Sequence, residues 1–212
     1  MERIKMLIFV LPAVLIGLSF HEFAHAMVAY CFGDRSQKQS GRLSLNPIHH
    51  IDPIGFLMIV LVGFGWAKPV VYDPREIEKK KLGRILIALA GPFTNFLLGM
   101  LFAFICGWLF RDFSFMVKAQ DKSIQHFIFN LVLYTSLINF GLGIFNLLPI
   151  APLDGSHVVS VLFGLSPSQE MKYYRYGMPV LLILVFSDTL FGIDLLPITK
   201  GINYLFGYFS GI

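Results

Sequence analysis

The sequence predicts an all-α, polytopic membrane protein with about four to six transmembrane helices. Three observations lead there. The 212 residues are 56% apolar and 15% aromatic but only 14% charged, where a soluble domain carries about 25% charged residues. Mean hydropathy is +0.69, and several apolar runs approach or exceed the roughly 20 residues a membrane span needs. The net charge of +4 is unevenly placed, with Arg75, Lys79, Lys80, Lys81 and Arg84 crowded into one loop. That crowding reads as positive-inside bias rather than a nucleic-acid surface, so no nucleic-acid partner is expected. Disorder and a simple soluble domain are excluded. The length fits one membrane-embedded domain over 1–212, with a core of about 6–165 and accessory helices over about 176–212.

The first apolar run, Met6 to about Phe32, is too long for the hydrophobic part of a cleavable signal peptide. It is read as a transmembrane helix that keeps polar groups in the membrane. From Gly33 to Pro53 the chain turns polar. Arg42-Leu43-Ser44-Leu45 alternates like a short strand, and Asn46-Pro47 and Asp52-Pro53 suit turns. Residues 54–72 are apolar but carry three glycines, Lys68 and Pro69, so they suit a span or a re-entrant piece. After the basic loop, Arg84 to Phe110 is a second clear helix, 111–124 a polar connection, and Gln125 to Leu148 a third clear helix. A short apolar run ends near Leu165. One or two more helices follow from about Tyr176, broken near Gly192 and Pro197. Cys31 and Cys106 stand in apolar surroundings without disulfide spacing and read as buried thiols.

His21-Glu22-Phe23-Ala24-His25 carries the chemistry. The i, i+4 spacing puts both imidazoles on one helix face, where their nitrogens can converge on one metal. Glu22 lies close enough to take a proton from a metal-activated water. With six histidines and five glutamates in the chain, shuffling yields this pattern about 0.004 times. Ionisable residues inside a membrane helix cost about 2.5–3.5 kcal/mol on insertion scales and are functional by default. A catalytic zinc takes three protein ligands and leaves one position open. Asp154, 129 residues beyond His25, is the remaining acid beside an apolar helix and completes the set.

In these residues the chain resembles the site-2 protease family of intramembrane zinc metalloproteases, especially its small microbial members without a PDZ insertion. The matching stretches are 21–25, Asn46 through Gly55, Gly65 through Val70, Ala90 through Asn95, and Asn146 through Gly155. The resemblance implies one zinc per chain held by His21, His25 and Asp154, with Glu22 as the catalytic acid/base. It also implies a transmembrane protein or a signal-peptide remnant as substrate. It departs at the N-terminus, where many relatives carry a further helix before the motif.

Both halves of the metal site must meet at one depth. With the basic loop in the cytoplasm, Asp154 lies near the cytoplasmic end of its helix, and the first helix must also run inward. Residues 54–72 then enter and leave on one side, which favours re-entry. The end of that segment, 65–70, could offer an unpaired strand edge to an unwound substrate. Lys68 reads as a snorkelling anchor. Asn95 and Asn146 are the candidate oxyanion donors, each equally able to make an interhelical hydrogen bond. His50 suits a loop-fixing bond, Asn139 matches no motif, and His49, His126 and His157 have weaker claims. The expected home is the plasma membrane of a microbe, with the site toward the cytoplasm. A metal-ion transporter using the same His and Asp residues is the alternative, although no internal repeat supports it. A zinc-bearing binder would need a fourth ligand. Substrate identity, gating helices and oligomeric state stay open.

Overall fold

A computed structural model describes residues 2–63, 65–111, 123–191 and 198–212. Helix α1 (Glu2–Cys31), α4 (Lys80–Arg111) and α5 (Ile124–Asn146) pack against one another. Over Met6–Cys31, Lys80–Arg111 and Ile124–Asn146 they are the three helices, among the described residues, long and apolar enough to cross a membrane. The expected count of four to six spans goes further than these three.

Small residues make the close packing possible. On α4 a stripe with a four-residue step, Gly83, Ile87, Gly91, Asn95, Gly99, Ala103 and Gly107, is buried along the helix. Lipid tails give apolar helices no reason to associate, so close backbone approach and hydrogen bonds must hold them together. Gly99 lies under the Phe140 ring of α5, and Gly107 abuts the Ser210 carbonyl of α8 (Ile198–Ser210). Pro92, inside α4, has no N–H to return to Ala88, which favours a bend there.

Between α1 and α4 the chain is mostly irregular. After the short turn α2 (Ser36–Gln39), the expected strand at Arg42–Leu45 does not form. The Arg42 guanidinium instead donates to the carbonyls of His49, Lys68 and Pro69, tying this stretch to later loops rather than to a ladder. Asn46 accepts from the Ile48 N–H to open a 3-10 turn at Pro47–His49, and Asp52 accepts from the Gly55 N–H to cap α3 (Pro53–Val62). At ten residues α3 is about 15 Å long, half a bilayer core. The chain turns at Gly63, whose φ is +84°, and comes back so that Ala67 bridges Ile51 in antiparallel fashion. Gly55 of α3 packs close to the returning backbone, so a Cβ at 55 would strike the Trp66 carbonyl and one at 65 the Gly55 carbonyl.

After α5, a loop with a cis Ala151–Pro152 bond leads to α6 (Asp154–Leu162). The next helix, α7, begins at Pro167 and runs to Phe191, starting nine residues before the expected Tyr176. Ser166 explains the early start: its backbone N–H and hydroxyl both donate to the Gln169 side chain, with Pro167 next in line. A Ser-Pro-x-Gln run is a capped helix start. The expected breaks at Gly192 and Pro197, and most of the 111–124 connection, lie outside the described residues. Cys106 is buried as expected, whereas Cys31 is exposed at the end of α1.

Candidate metal centre

Two turns of α1 and the first residue of α6 converge against the bare flank of Gly91. His21 Nε2 lies 3.1 Å from Asp154 Oδ2, His25 Nε2 3.3 Å from Asp154 Oδ1, and the two Nε2 atoms are 3.0 Å apart. One ligand atom from each residue falls within 4.8 Å of the others, a grouping able to hold a metal ion. A Cβ at position 91 would run into both imidazoles, so glycine is what lets them lie against α4.

The far side of each ring decides what these contacts mean. His21 Nδ1 lies 2.6 Å from Asn95 Oδ1, and His25 Nδ1 lies 2.6 Å from the Ile87 carbonyl. The Asn95 amide nitrogen donates to the Gly17 carbonyl and to Asn139 Oδ1, so its oxygen is the atom that faces His21. Both imidazoles therefore carry a proton on Nδ1, and in the neutral form each turns an Nε2 lone pair to the cluster. Two lone pairs and a carboxylate, whose Oδ2 is buried with no hydrogen-bond donor, face one another at about 3 Å. One proton could relieve one of these contacts. A shared divalent cation relieves all of them, so this donor set fits zinc.

Glu22, 7% exposed, lies beside the cluster, and its Oε2 accepts from the Val70 N–H at 3.0 Å. It shares with His25, Val70, Asp154 and His157 the wall of an open pocket of about 110 Å³. The returning segment 66–73 is held there by Lys68 N–H to the His50 carbonyl, by Gln37 to the Val71 carbonyl, and by Asp73 N–H to Asp34. Burial would raise the Asp34 carboxyl, but donors from Ser36, Gln37 and Asp73 outweigh it and hold it below its ordinary value. His50 Nε2 meets the Ser44 carbonyl, a loop-fixing bond of the kind expected.

Other expected site residues fall differently. Asn95 is fully buried with both amide hydrogens in use, one helix layer behind the His21–His25–Asp154 cluster. Asn146 donates to the Leu142 carbonyl of its own helix and is not among the pocket residues. Asn139, fully buried, supports Asn95 and donates to the Thr135 carbonyl. No motif marks it; the only signal in the sequence is an amide in mid-membrane. His157 lies one turn beyond Asp154, lines the pocket, and meets the Tyr174 hydroxyl of α7. Burial lowers its pKa against the opposing pull of Asp154. Around it, Arg84 pairs with Glu170 at 3.0 Å, Tyr173 donates to the Pro149 carbonyl, and Gly177 abuts Ala151. The first half of α7 thus grips the loop that presents Asp154.

Comparison with known proteins points one way. The family model described as Peptidase family M50 matches residues 111–186, which include Asp154. A candidate zinc metalloprotease of Bacillus subtilis, YwhC, is 36% identical over 172 residues, covering 81% of this chain and 77% of its own length. The candidate zinc metalloprotease Rip2 of Mycobacterium tuberculosis is 28% identical over 196 residues, covering 87% of this chain and 69% of its own length. The candidate zinc metalloprotease MJ0611 of Methanocaldococcus jannaschii is 28% identical over 159 residues, covering 73% of this chain and 72% of its own length. No solved structure matches the chain.

Proposed function

The chain belongs to peptidase family M50 and is a zinc metalloprotease of the membrane, and from that premise we propose that it cuts peptide bonds within or beside transmembrane segments. In this reading His21, His25 and Asp154 hold one zinc, and Glu22 is the acid/base. The carrying observation is the convergence of two Nε2 atoms, on rings anchored through Nδ1, upon the Asp154 carboxylate.

When bound, zinc polarises the scissile carbonyl and makes water nucleophilic near neutral pH. Glu22 takes one proton from the attacking water as the new C–O bond forms and the carbonyl pair moves onto oxygen. As that pair returns, the C–N bond breaks and Glu22 passes its proton to the departing amine. The Val70 N–H keeps the carboxylate aimed into the pocket. Asn95 and Asn139 act as positioning residues, fixing the tautomer and tilt of His21.

A peptide carbonyl inside a helix is hydrogen-bonded, so cleavage requires local unwinding. The extended stretch 65–70 beside Glu22 would pair with the unwound substrate and replace its lost helical bonds. The short α3 and the Ile51–Ala67 bridge support a hairpin that enters and leaves the membrane on one side. With the basic loop inside, the site faces the cytoplasm of a microbial cell membrane, and 1–212 form one protease domain with its core at about 6–165. Substrates of this class are membrane-anchored proteins or signal-peptide remnants.

The test uses the full chain in mild detergent with a transmembrane peptide reporter. Wild type should carry one zinc per chain and cleave. Glu22→Gln should keep zinc and lose at least about a hundredfold in kcat. Wild-type cleavage by Glu22→Gln would overturn the reading. So would zinc flux through Glu22→Gln in proteoliposomes, which a transporter predicts.

A further inference from the structure

Peptide hydrolysis places negative charge on the scissile carbonyl oxygen, and a positioned N–H or O–H donor there is worth a large share of the rate. Few side chains in the pocket can supply one. Of the lining side chains, only His25, Tyr72 and His157 carry N–H or O–H groups. His25 has its Nδ1 proton on the Ile87 carbonyl and its Nε2 on the metal cluster. Tyr72 lies beside Arg84, whose guanidinium can only donate, so the phenol oxygen is an acceptor there. Of the two donors expected from sequence, Asn95 has no hydrogen left to offer and Asn146 does not line the pocket. His157 remains.

We propose that His157 is a catalytic residue whose ring N–H binds the scissile carbonyl oxygen as charge develops on it, with Tyr174 as the residue that positions its ring. Asp154 and His157 are three residues apart on α6, so the metal ligand and this donor lie on one helix face. The Tyr174 hydroxyl is 2.9 Å from Nδ1 and 3.0 Å from Nε2. It has one hydrogen to give and bonds one nitrogen at a time. The nitrogen that accepts it is deprotonated, which puts the ring proton on the other nitrogen, and the ring itself lines the pocket. A neutral imidazole suits this task because it donates without adding a cation beside the metal. During the reaction no proton changes owner at His157. It donates a hydrogen bond to the oxygen while the water proton travels by way of Glu22 to the leaving amine.

The inference rests on the proteolytic reading, and the experiment separates the two. Wild type, His157→Phe, His157→Gln and Tyr174→Phe are compared as full chains for kcat, KM and zinc content. Each is also titrated with a phosphinic peptide, in which a tetrahedral phosphorus replaces the scissile carbon. His157→Phe keeps the ring volume and removes the donor. It should lose about a hundredfold in kcat with KM and zinc unchanged, and bind the phosphinic peptide correspondingly less tightly. His157→Gln, which restores an N–H, should recover at least tenfold of that loss. Tyr174→Phe should lose about tenfold. Wild-type kcat and phosphinic affinity in His157→Phe would overturn the assignment and leave the protease standing, as would loss of zinc in that variant. A wild-type chain that neither cleaves nor binds the phosphinic peptide would overturn both.

Discussion

Asn95 Oδ1 sits 2.6 Å from His21 Nδ1, and its amide nitrogen reaches Asn139 on a third helix. One buried side chain therefore sets the tautomer of one proposed ligand and joins all three spans. Removing it leaves His21 free to turn and two buried polar groups without partners. Asn95→Ala should weaken zinc binding by about 10- to 100-fold in competition with a chelator. Asn139→Ala, one step further out, should weaken it less. Equal zinc affinity in Asn95→Ala and wild type would contradict this.

Gly91→Ala separates folding from site geometry. Alanine is favoured over glycine inside a helix by about 1 kcal/mol, so α4 itself should not suffer. The added methyl would meet both imidazoles. The variant should melt no lower than the zinc-stripped wild type, while its zinc content falls well below one per chain. Full zinc occupancy with normal turnover would count against the close contact at Gly91.

Val70→Pro removes the N–H that Glu22 Oε2 accepts. Zinc content should stay at the wild-type level, because no proposed ligand is touched. Cleavage should fall by about tenfold or more, since a base held loosely loses much of its general-base advantage. Steady-state kinetics with metal analysis on the same sample decides the matter.

Asp34 offers a pH test away from the membrane spans. Its carboxyl is held below the ordinary 3.8 by donors from Ser36, Gln37 and the Asp73 N–H. A lowered folded-state pKa contributes stability that is fully present above the unfolded value and lost as pH falls through the folded one. Asp34→Asn should thus melt lower than wild type at pH 7. The gap should narrow as pH drops below about 4. Thermal melts in detergent across pH 3–7 would show it; a constant gap would refute it.

The helices and the motif were readable because each has a local cause. Apolar length announces α1, α4 and α5, and His21-x-x-x-His25 needs only helical spacing to put two rings on one face. The strand expected at Arg42–Leu45 failed because alternation says nothing about partners, and here Arg42 bonds loop carbonyls instead. The start of α7 was legible in Ser166-Pro167-Ser168-Gln169, but the polar residues after it masked the helix. Asn139 and His157 acquire roles only when distant helices meet, and no local pattern encodes that meeting.

The His21–Asn95–Asn139 chain has a mechanical consequence for life in a bilayer. Hydrogen bonds of about 3 Å tolerate little slippage, whereas one helical turn is about 5.4 Å. None of the three spans can slide along another to suit a thinner or thicker membrane without breaking the chain. Such a mismatch must be met by tilting the bundle as a unit or by deforming the surrounding lipid.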